Sequence, residues 1–482
     1  MSNIFLAGSC TKQVSVSPLD TPPPHGYLFI DSSPEGFHIY LNNRARRRAT
    51  PDSLTWLTTG SYSITLKKDL FRDTTINVDV VEGEKRKYFV DIADNPAMRG
   101  SIMCTSNPSG ADILVNDSST GQVTPAEITG LLPGKYSVRY KMKNHRDDSL
   151  YTTVSSSHRS SAIMYLVDTT VWRDYTTANS SIPINYFTCI YIEKNDLMWL
   201  GSDGVGLVKF QDGKFNFYSM ANTSMPDNTI TCITEDKNGT KWVGTNSALV
   251  EFDQTPAVSM MFYNKVNSLL PSVNIKSIEP ASNDTVWVAT NDGVAITWME
   301  YGYRQWDVFD TNTHGLNDWY LPENWVTALK FDTRGVIWAG TKNSGISEFG
   351  GPTYNVMNSA LPSNVVTSCA AAGDGTMWFA HDPDSYHGSG LSHFNGVNFE
   401  SFYNLPYGCS TYGIYIDNTD TKWVSTNKGL VRFKDPSATV VYTYQNTGLN
   451  IGQTRGVVKD SKGRIWIATY GGGLIELKKP DN

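Results

Sequence analysis

The sequence predicts an all-β protein: two small β-sandwich domains followed by a seven-bladed β-propeller. Three observations predict this. Aromatic residues make up 12 % of the 482 residues and charged residues only 18 %. Thr, Ser, Asn, Gly and Pro interrupt the chain every few residues, which suits short strands and many turns. Two internal repeats then divide the chain, one of 74 residues present twice and one of 40 to 51 residues present seven times. Expected boundaries are a signal remnant and tether at 1–25, sandwiches at 26–97 and 98–168, and a propeller at 169–482 closed by a strand at 170–176.

The first repeat rests on three anchors in one register. Pro34-Glu35-Gly36 matches Pro108-Ser109-Gly110, Thr50-Pro51 matches Thr124-Pro125, and Gly60-Ser61-Tyr62 matches Gly134-Lys135-Tyr136. Each unit opens with a strand and continues through a Pro-Gly turn into an alternating strand such as Phe37 to Leu41. Period-two alternation implies strands half-buried on one core. The units resemble PEGA domains, with Pro-Glu-Gly-Phe in the first copy and Pro-Ser-Gly-Ala in the second. That resemblance covers about residues 26 to 168. It implies a small β-sandwich of bacterial envelope or surface proteins, involved in binding and carrying no catalysis.

The second repeat centres on Trp199, Trp242, Trp287, Trp338, Trp378, Trp423 and Trp466, each opening a Trp-[Val/Leu/Ile/Ala/Phe]-[Gly/Ala/Ser]-[Thr/Ser/His] core. An Asp-x-x-Gly turn precedes most of them, as at Asp236 to Gly239 and Asp460 to Gly463. A Gly-(Leu/Val/Ile)-x-x-Phe segment or a variant follows, as at Gly206 to Phe210, and then an aromatic strand. Four short strands per 40 to 50 residues read as a propeller blade. The last repeat stops after its third strand, Gly473 to Leu477. The array begins with a lone fourth-type strand, Val171 to Tyr175, which would complete the last blade and leave no open edge. The recurring Trp is expected to pack between blades.

These blades resemble two-component regulator propeller repeats. The Leu-Pro-x-Asn element of that family stands at Leu321 to Asn324 and Leu361 to Asn364, with a variant at Met225 to Asn228. The resemblance implies an extracytoplasmic sensor fold, many members of which respond to glycans. The sequence departs from such sensors in having no kinase, no receiver domain and no apolar run of 18 residues, so direct phosphotransfer is not expected.

Charge excludes one class of function. Up to Asp168 there are 18 Lys/Arg against 17 Asp/Glu, and after it 22 against 30. An acidic propeller is a poor general nucleic-acid binder, so no nucleic-acid partner is expected. Ile4 to Cys10 resembles the end of a bacterial lipoprotein signal, with Cys10 as the lipidated residue. It lacks a preceding Lys or Arg, and the nine residues before Cys10 are few for a full signal. The expectation is an outer-membrane-anchored lipoprotein of the cell envelope, touching the membrane only through its lipid, with Thr11 to His25 as tether. Cys189, Cys232 and Cys369 are expected as buried thiols, and no cysteine spacing suggests a metal.

Binding residues are expected where loops break the blade pattern on one face. The loop entering blade four carries His314, Asp318, Trp319, Tyr320 and Glu323, with Trp325 opening the next strand. The long loop of blade five carries His381, Asp382, Asp384, Tyr386 and His387. The loop entering blade six adds Tyr403, Tyr407 and Tyr412. Aromatic rings beside carboxylates and amides suit a sugar, whose apolar faces stack and whose hydroxyls hydrogen-bond. The competing reading is that these rings only cover blade ends. Arg44, Arg46, Arg47 and Arg48 are expected in a hairpin loop of the first sandwich, either solvated or holding an anionic polymer.

The functional expectation is a non-enzymatic binding or sensing lipoprotein of the cell envelope, recognising an extracellular glycan. The alternative is an interaction scaffold for a protein partner in an envelope complex. A third reading is a lyase: virginiamycin B lyase shares the propeller pattern, and His381, His387 and His393 crowd blade five. No phosphate loop, nucleophile elbow or zinc-binding His pair is present, and no cofactor or metal is expected.

Overall fold

A computed structural model describes residues 23–253, 260–282, 284–312, 321–434 and 437–480. The chain divides into two compact units, residues 1–140 with 149–163, and residues 141–148 with 164–482.

The first 74-residue repeat folds as a three-stranded sheet and a four-stranded sheet. One holds Asp52–Thr58, His25–Ser33 and Lys85–Asp91, and the other Arg44–Ala49, His38–Leu41, Gly60–Lys67 and Thr74–Val80. The second repeat reproduces both sheets in the same order. Along His25–Ser33 every second residue is buried. Leu28, Ile30, Phe37, Ile39, Ile64 and Leu66 form the core of the first copy.

The repeat anchors have physical roles. Thr50 Oγ1 accepts from the Phe37 N–H at 3.1 Å and shares a proton with Ser32 Oγ at 2.6 Å, so the Thr-Pro pair holds the Pro-Glu-Gly turn. Thr124 Oγ1 does the same for Gly110, Ala111 and Ser106. The Tyr62 and Tyr136 hydroxyls each donate to the carbonyl four residues back, Thr58 at 2.9 Å and Leu132 at 2.8 Å. Gly26 and Gly100, also 74 apart, are both required, since a Cβ would stand 2.4 Å from the carbonyl oxygens of Val81 and Ser155.

One expectation here is corrected. Arg44 to Arg48 do not form a hairpin loop. They occupy an edge strand, Arg44–Ala49, antiparallel to His38–Leu41, and the turn is made at Asn42 and Asn43, both with positive φ. A strand with four arginines at a sheet edge blocks pairing with another chain. Only Arg48 meets an acid among the described residues, Asp52 at 3.9 Å.

Among the described residues, the chain from Trp172 to Leu477 forms seven four-stranded antiparallel sheets. We number these blades 1 to 7 from residue 187 onward. Their innermost strands are Phe187–Ile192, Ile230–Glu235, Ile275–Pro280, Val326–Phe331, Val365–Ala371, Thr411–Ile416 and Thr454–Lys459. Each touches the next, and the seventh touches the first, so the ring is closed around a central channel. The last blade takes its outermost strand from far upstream: Trp172–Tyr175 pairs with Leu474–Leu477. Asp174 of that strand is gripped by both oxygens from Arg146 Nη1 at 2.8 Å.

The recurring tryptophans are all buried between blades. In four blades an Asp six residues before the Trp holds the turn, which reads Asp-x-x-Gly in three of them and Asp-x-x-Asp at Asp417. Asp332 accepts from the N–H groups of Arg334 and Val336 and from Trp338 Nε1 at 3.1 Å. Asp236, Asp417 and Asp460 repeat this, and Glu193 serves Trp199. Blades 3 and 5 have Ala281 and Ala372 there, and their tryptophans, Trp287 and Trp378, are the two least enclosed of the seven.

The Leu-Pro-x-Asn element also has a mechanical role. Asn324 Oδ1 accepts from the Thr311 N–H and its carbonyl accepts from Gly293 of the preceding blade. Asn364 and Asn228 do likewise, toward Gly345 and Gly206. No helix among the described residues is long and apolar enough to cross a membrane.

Candidate functional site

The loops expected to bind a ligand share the face on which the innermost strands begin. His314, Asp318, Trp319 and Tyr320 lie outside the described residues, as does Cys10. The remaining candidates separate into exposed rings and tied polar groups.

Trp325, Tyr386 and Tyr407 are exposed at 40, 92 and 97 %, and Tyr403 joins them. Trp325 is fixed through its carbonyl, which accepts from the Lys342 N–H at 3.0 Å. Tyr407 is fixed in the same way by Lys428 Nζ at 2.5 Å. Neither bond uses the ring; the Tyr407 ring is left to solvent, while the Trp325 ring has Lys276 Nζ over it at 5.9 Å. Glu323 instead holds the neighbouring turn, accepting from the Asn343 N–H and Nδ2.

His381 is not a ligand contact, which corrects its place among the candidates. It is fully buried. Its Nδ1 lies 2.7 Å from the Ser363 carbonyl and its Nε2 2.8 Å from Ser392 Oγ. In the other six blades a Thr or Ser at this position closes a short turn by donating to a carbonyl three or four residues on, as Thr341 does to Gly345 at 2.8 Å. The blade-five loop is longer, and the imidazole is long enough to span it. Burial lowers the ring's pKa to about 4, so it is neutral near pH 7.

The other loop polar groups are also committed. Asp382 accepts from the Thr411 N–H at 2.5 Å, tying blade 5 to blade 6. Burial raises its carboxyl and the Thr411 bonds oppose that shift. Asp384 accepts from the N–H groups of Tyr386 and His387 and meets His387 Nδ1 at 2.9 Å. This local ring of bonds gives the loop its shape and pushes Tyr386 outward. His393 stacks on Trp378 at 4.5 Å and stays with the inter-blade packing.

Cys369 is buried, while Cys189 and Cys232 are half-buried in innermost strands. Burial pushes the thiols of Cys189 and Cys232 up to about 12 and about 11, which keeps them protonated.

A second opening was not legible in the sequence. A cavity of about 870 Å³ lies between blades 3 and 4 at the opposite end of the blades, with Trp287, Trp298, Phe331 and Phe349 in its wall. Two features produce it. The outer strands of blade 3, Gly293–Glu300 and Tyr303–Phe309, are long, while those of blade 4, Ile346–Glu348 and Thr353–Tyr354, are short. Ala281 also leaves room where other blades have a carboxylate.

A further pattern concerns the innermost strands. All seven have a register irregularity at the same place, after the first residues of the strand. Such a bulge leaves one residue unpaired and re-aims its side chain. In four blades that residue is Thr. Thr188 Oγ1 donates to the Ile230 carbonyl and Thr327 Oγ1 to the Val366 carbonyl, both at 2.6 Å, and Thr367 Oγ1 meets Thr411 Oγ1 at 2.7 Å. These threonines latch one blade to the next around the channel mouth.

Comparison with known proteins agrees with this architecture. The PEGA domain model matches residues 25–94 and 99–160, and the two component regulator propeller model matches residues 224–247 and 320–343. The chain carries two PEGA domains and two-component regulator propeller repeats. No curated protein sequence matches it. Among solved structures, the extracellular domain of the hybrid two component system BT3049 from B. thetaiotaomicron is similar, with 15 % identity and a TM-score of 0.55. That match covers 87 % of this chain, which spans only 60 % of the other domain's length. A streptogramin B lyase is similar over 63 % of this chain and 96 % of its own, with 12 % identity and a TM-score of 0.50. At such identities the likeness is one of fold. The regulator propeller repeats are therefore shown by the family model, and their ring by the strand pairing.

Proposed function

We propose that this chain is a non-enzymatic binding or sensing protein of the cell envelope, and that its propeller recognises a glycan on the loop face of blades 4 to 6. The observation that carries the reading is the division of labour on that face. Trp325, Tyr386 and Tyr407 present open rings, while the polar side chains between them hold the loops in shape. Fixed, exposed rings are what a pyranose stacks on. The regulator propeller repeats and the likeness to an extracellular sensor domain support an extracytoplasmic location. Against a lyase stands His381, the candidate base, which is enclosed with both nitrogens occupied. Anchoring through a lipid on Cys10 belongs to the same proposal, and palmitate labelling that disappears in Cys10→Ser tests it.

The test of binding is fluorescence titration against an oligosaccharide panel, with Trp325→Ala and Tyr407→Ala in parallel. Saturable quenching that weakens at least about tenfold in either variant is expected, the loss of one stacked ring. Binding unchanged in both variants would remove the site from this face. A protein-docking scaffold is the second reading. It is favoured by the protruding hairpin of blade 3, where Met299, Tyr301 and Tyr303 are exposed together.

A further inference from the structure

The ring of bulged residues has three exceptions to threonine, and all three are large: Lys276, Tyr412 and Arg455. None repeats the threonine latch. The Arg455 guanidinium instead lies 3.8 Å from the centre of the Tyr412 ring and 5.0 Å from that of Tyr470. Two aromatic rings thus lie against the cation. Its Nε is buried with no hydrogen-bond partner.

Lys276 stands over the Trp325 ring at 5.9 Å. Burial lowers its ammonium pKa, and the charge of Lys342, from the next blade, lowers it further. Among the described residues neither Lys276 nor Arg455 forms an ion pair with a carboxylate. Beyond Tyr470, Asp203 Oδ2 accepts from the Tyr470 hydroxyl at 2.6 Å.

Two partly buried cations that form no ion pair among the described residues, one with a buried Nε left unbonded, favour an anion that completes them. A guanidinium held against aromatic rings is preorganised for two parallel hydrogen bonds to a planar or tetrahedral oxyanion. We infer that the channel mouth is an anion-binding rim, in which Arg455 takes a carboxylate or sulfate group of an acidic saccharide, with Lys276 a second cation on the opposite side of the ring and the sugar rings lying on the exposed rings of that face. This rests on the glycan reading above and narrows it to acidic glycans.

Calorimetry on the whole chain tests it with matched probes: an oligogalacturonate and its full methyl ester, a sulfated galactan oligosaccharide and its desulfated form, and inorganic sulfate. The acidic member of at least one pair is expected to bind about tenfold or more tighter than its neutral partner, the worth of one charge-assisted contact. That preference should fall with added salt and vanish in Arg455→Gln, while Arg455→Lys keeps part of it. Unchanged thermal unfolding of Arg455→Gln would separate lost binding from lost folding, and Lys276→Met gives an independent variant. Neutral and acidic forms binding alike, with Arg455→Gln unaffected, would overturn the anion subsite and leave the glycan reading standing. Arg455-dependent binding of sulfate alone, with no sugar bound, would keep the subsite and overturn the glycan reading. No binding of any acidic probe would overturn the subsite.

Discussion

Two buried titratable residues show how the propeller's residue-level bonds respond to acid. Burial alone would raise the Asp417 carboxyl, but hydrogen bonds from Thr419, Lys459 and Thr421 outweigh it and hold the group at about 2. A carboxyl whose pKa is lower folded than unfolded stabilises the fold above its unfolded value near 4. That contribution is lost as pH falls toward 2. Asp417→Asn should therefore flatten the fall in urea midpoint between pH 4 and 2, at the expense of stability at pH 7. His381 acts in a higher window. Its pKa is depressed to about 4 by burial, so the unfolded chain binds a proton at pH values where the folded one does not. Stability should decline from about pH 6.5 downward, by up to roughly 3 kcal/mol over the interval. His381→Gln, which keeps a donor and an acceptor, should flatten this phase. It should leave ligand affinity unchanged, because the ring touches only Ser363 and Ser392. An affinity loss in that variant, with stability unaltered, would return His381 to the binding face.

At the element scale, small repeated devices shape the blades and join several of them: the carboxylate under the Trp within five blades, the Asn of Leu-Pro-x-Asn between blades, and the bulge threonine that reaches the next blade in three. The first two were visible as motifs because they recur at fixed distances from the Trp. The threonine latch was not, because a hydrogen bond to the next blade spans about 40 residues of sequence, as from Thr188 to Ile230. The bulge position was visible too, in Phe187-Thr188-Cys189, Ile230-Thr231-Cys232 and Ile275-Lys276-Ser277. Reading it required lining up strand starts instead of tryptophans, so Lys276 and Arg455 were missed and Tyr412 was read only as a loop ring. Arg44 to Arg48 were misplaced for a related reason. Charge suggested a loop, whereas an edge strand also tolerates four arginines in six residues. The latch makes a prediction of its own. Thr327→Val removes the bond to the Val366 carbonyl while keeping shape, and should cost about 1 to 2 kcal/mol in chemical unfolding. An unaltered midpoint would mean that the threonines do not fasten the blades.

For the molecule as a whole, the ring was legible because its closure is written in the sequence: a last repeat lacking one strand, and a spare strand at Trp172–Tyr175 that supplies it. The position of the proposed ligand face followed from the same alignment, since loops longer than their counterparts have to leave the ring. The cavity between blades 3 and 4 was not legible, because it arises from unequal strand lengths in neighbouring sheets. The central claim is that blades 4 to 6 recognise a glycan on the loop face. Hydrogen–deuterium exchange of the whole chain with and without the tightest-binding oligosaccharide tests it most directly. The account predicts ligand-dependent protection at residues 323–327, 382–390 and 403–413, with the cavity between blades 3 and 4 unchanged. Protection confined to that cavity or to the PEGA domains, or no oligosaccharide able to protect any segment, would contradict it.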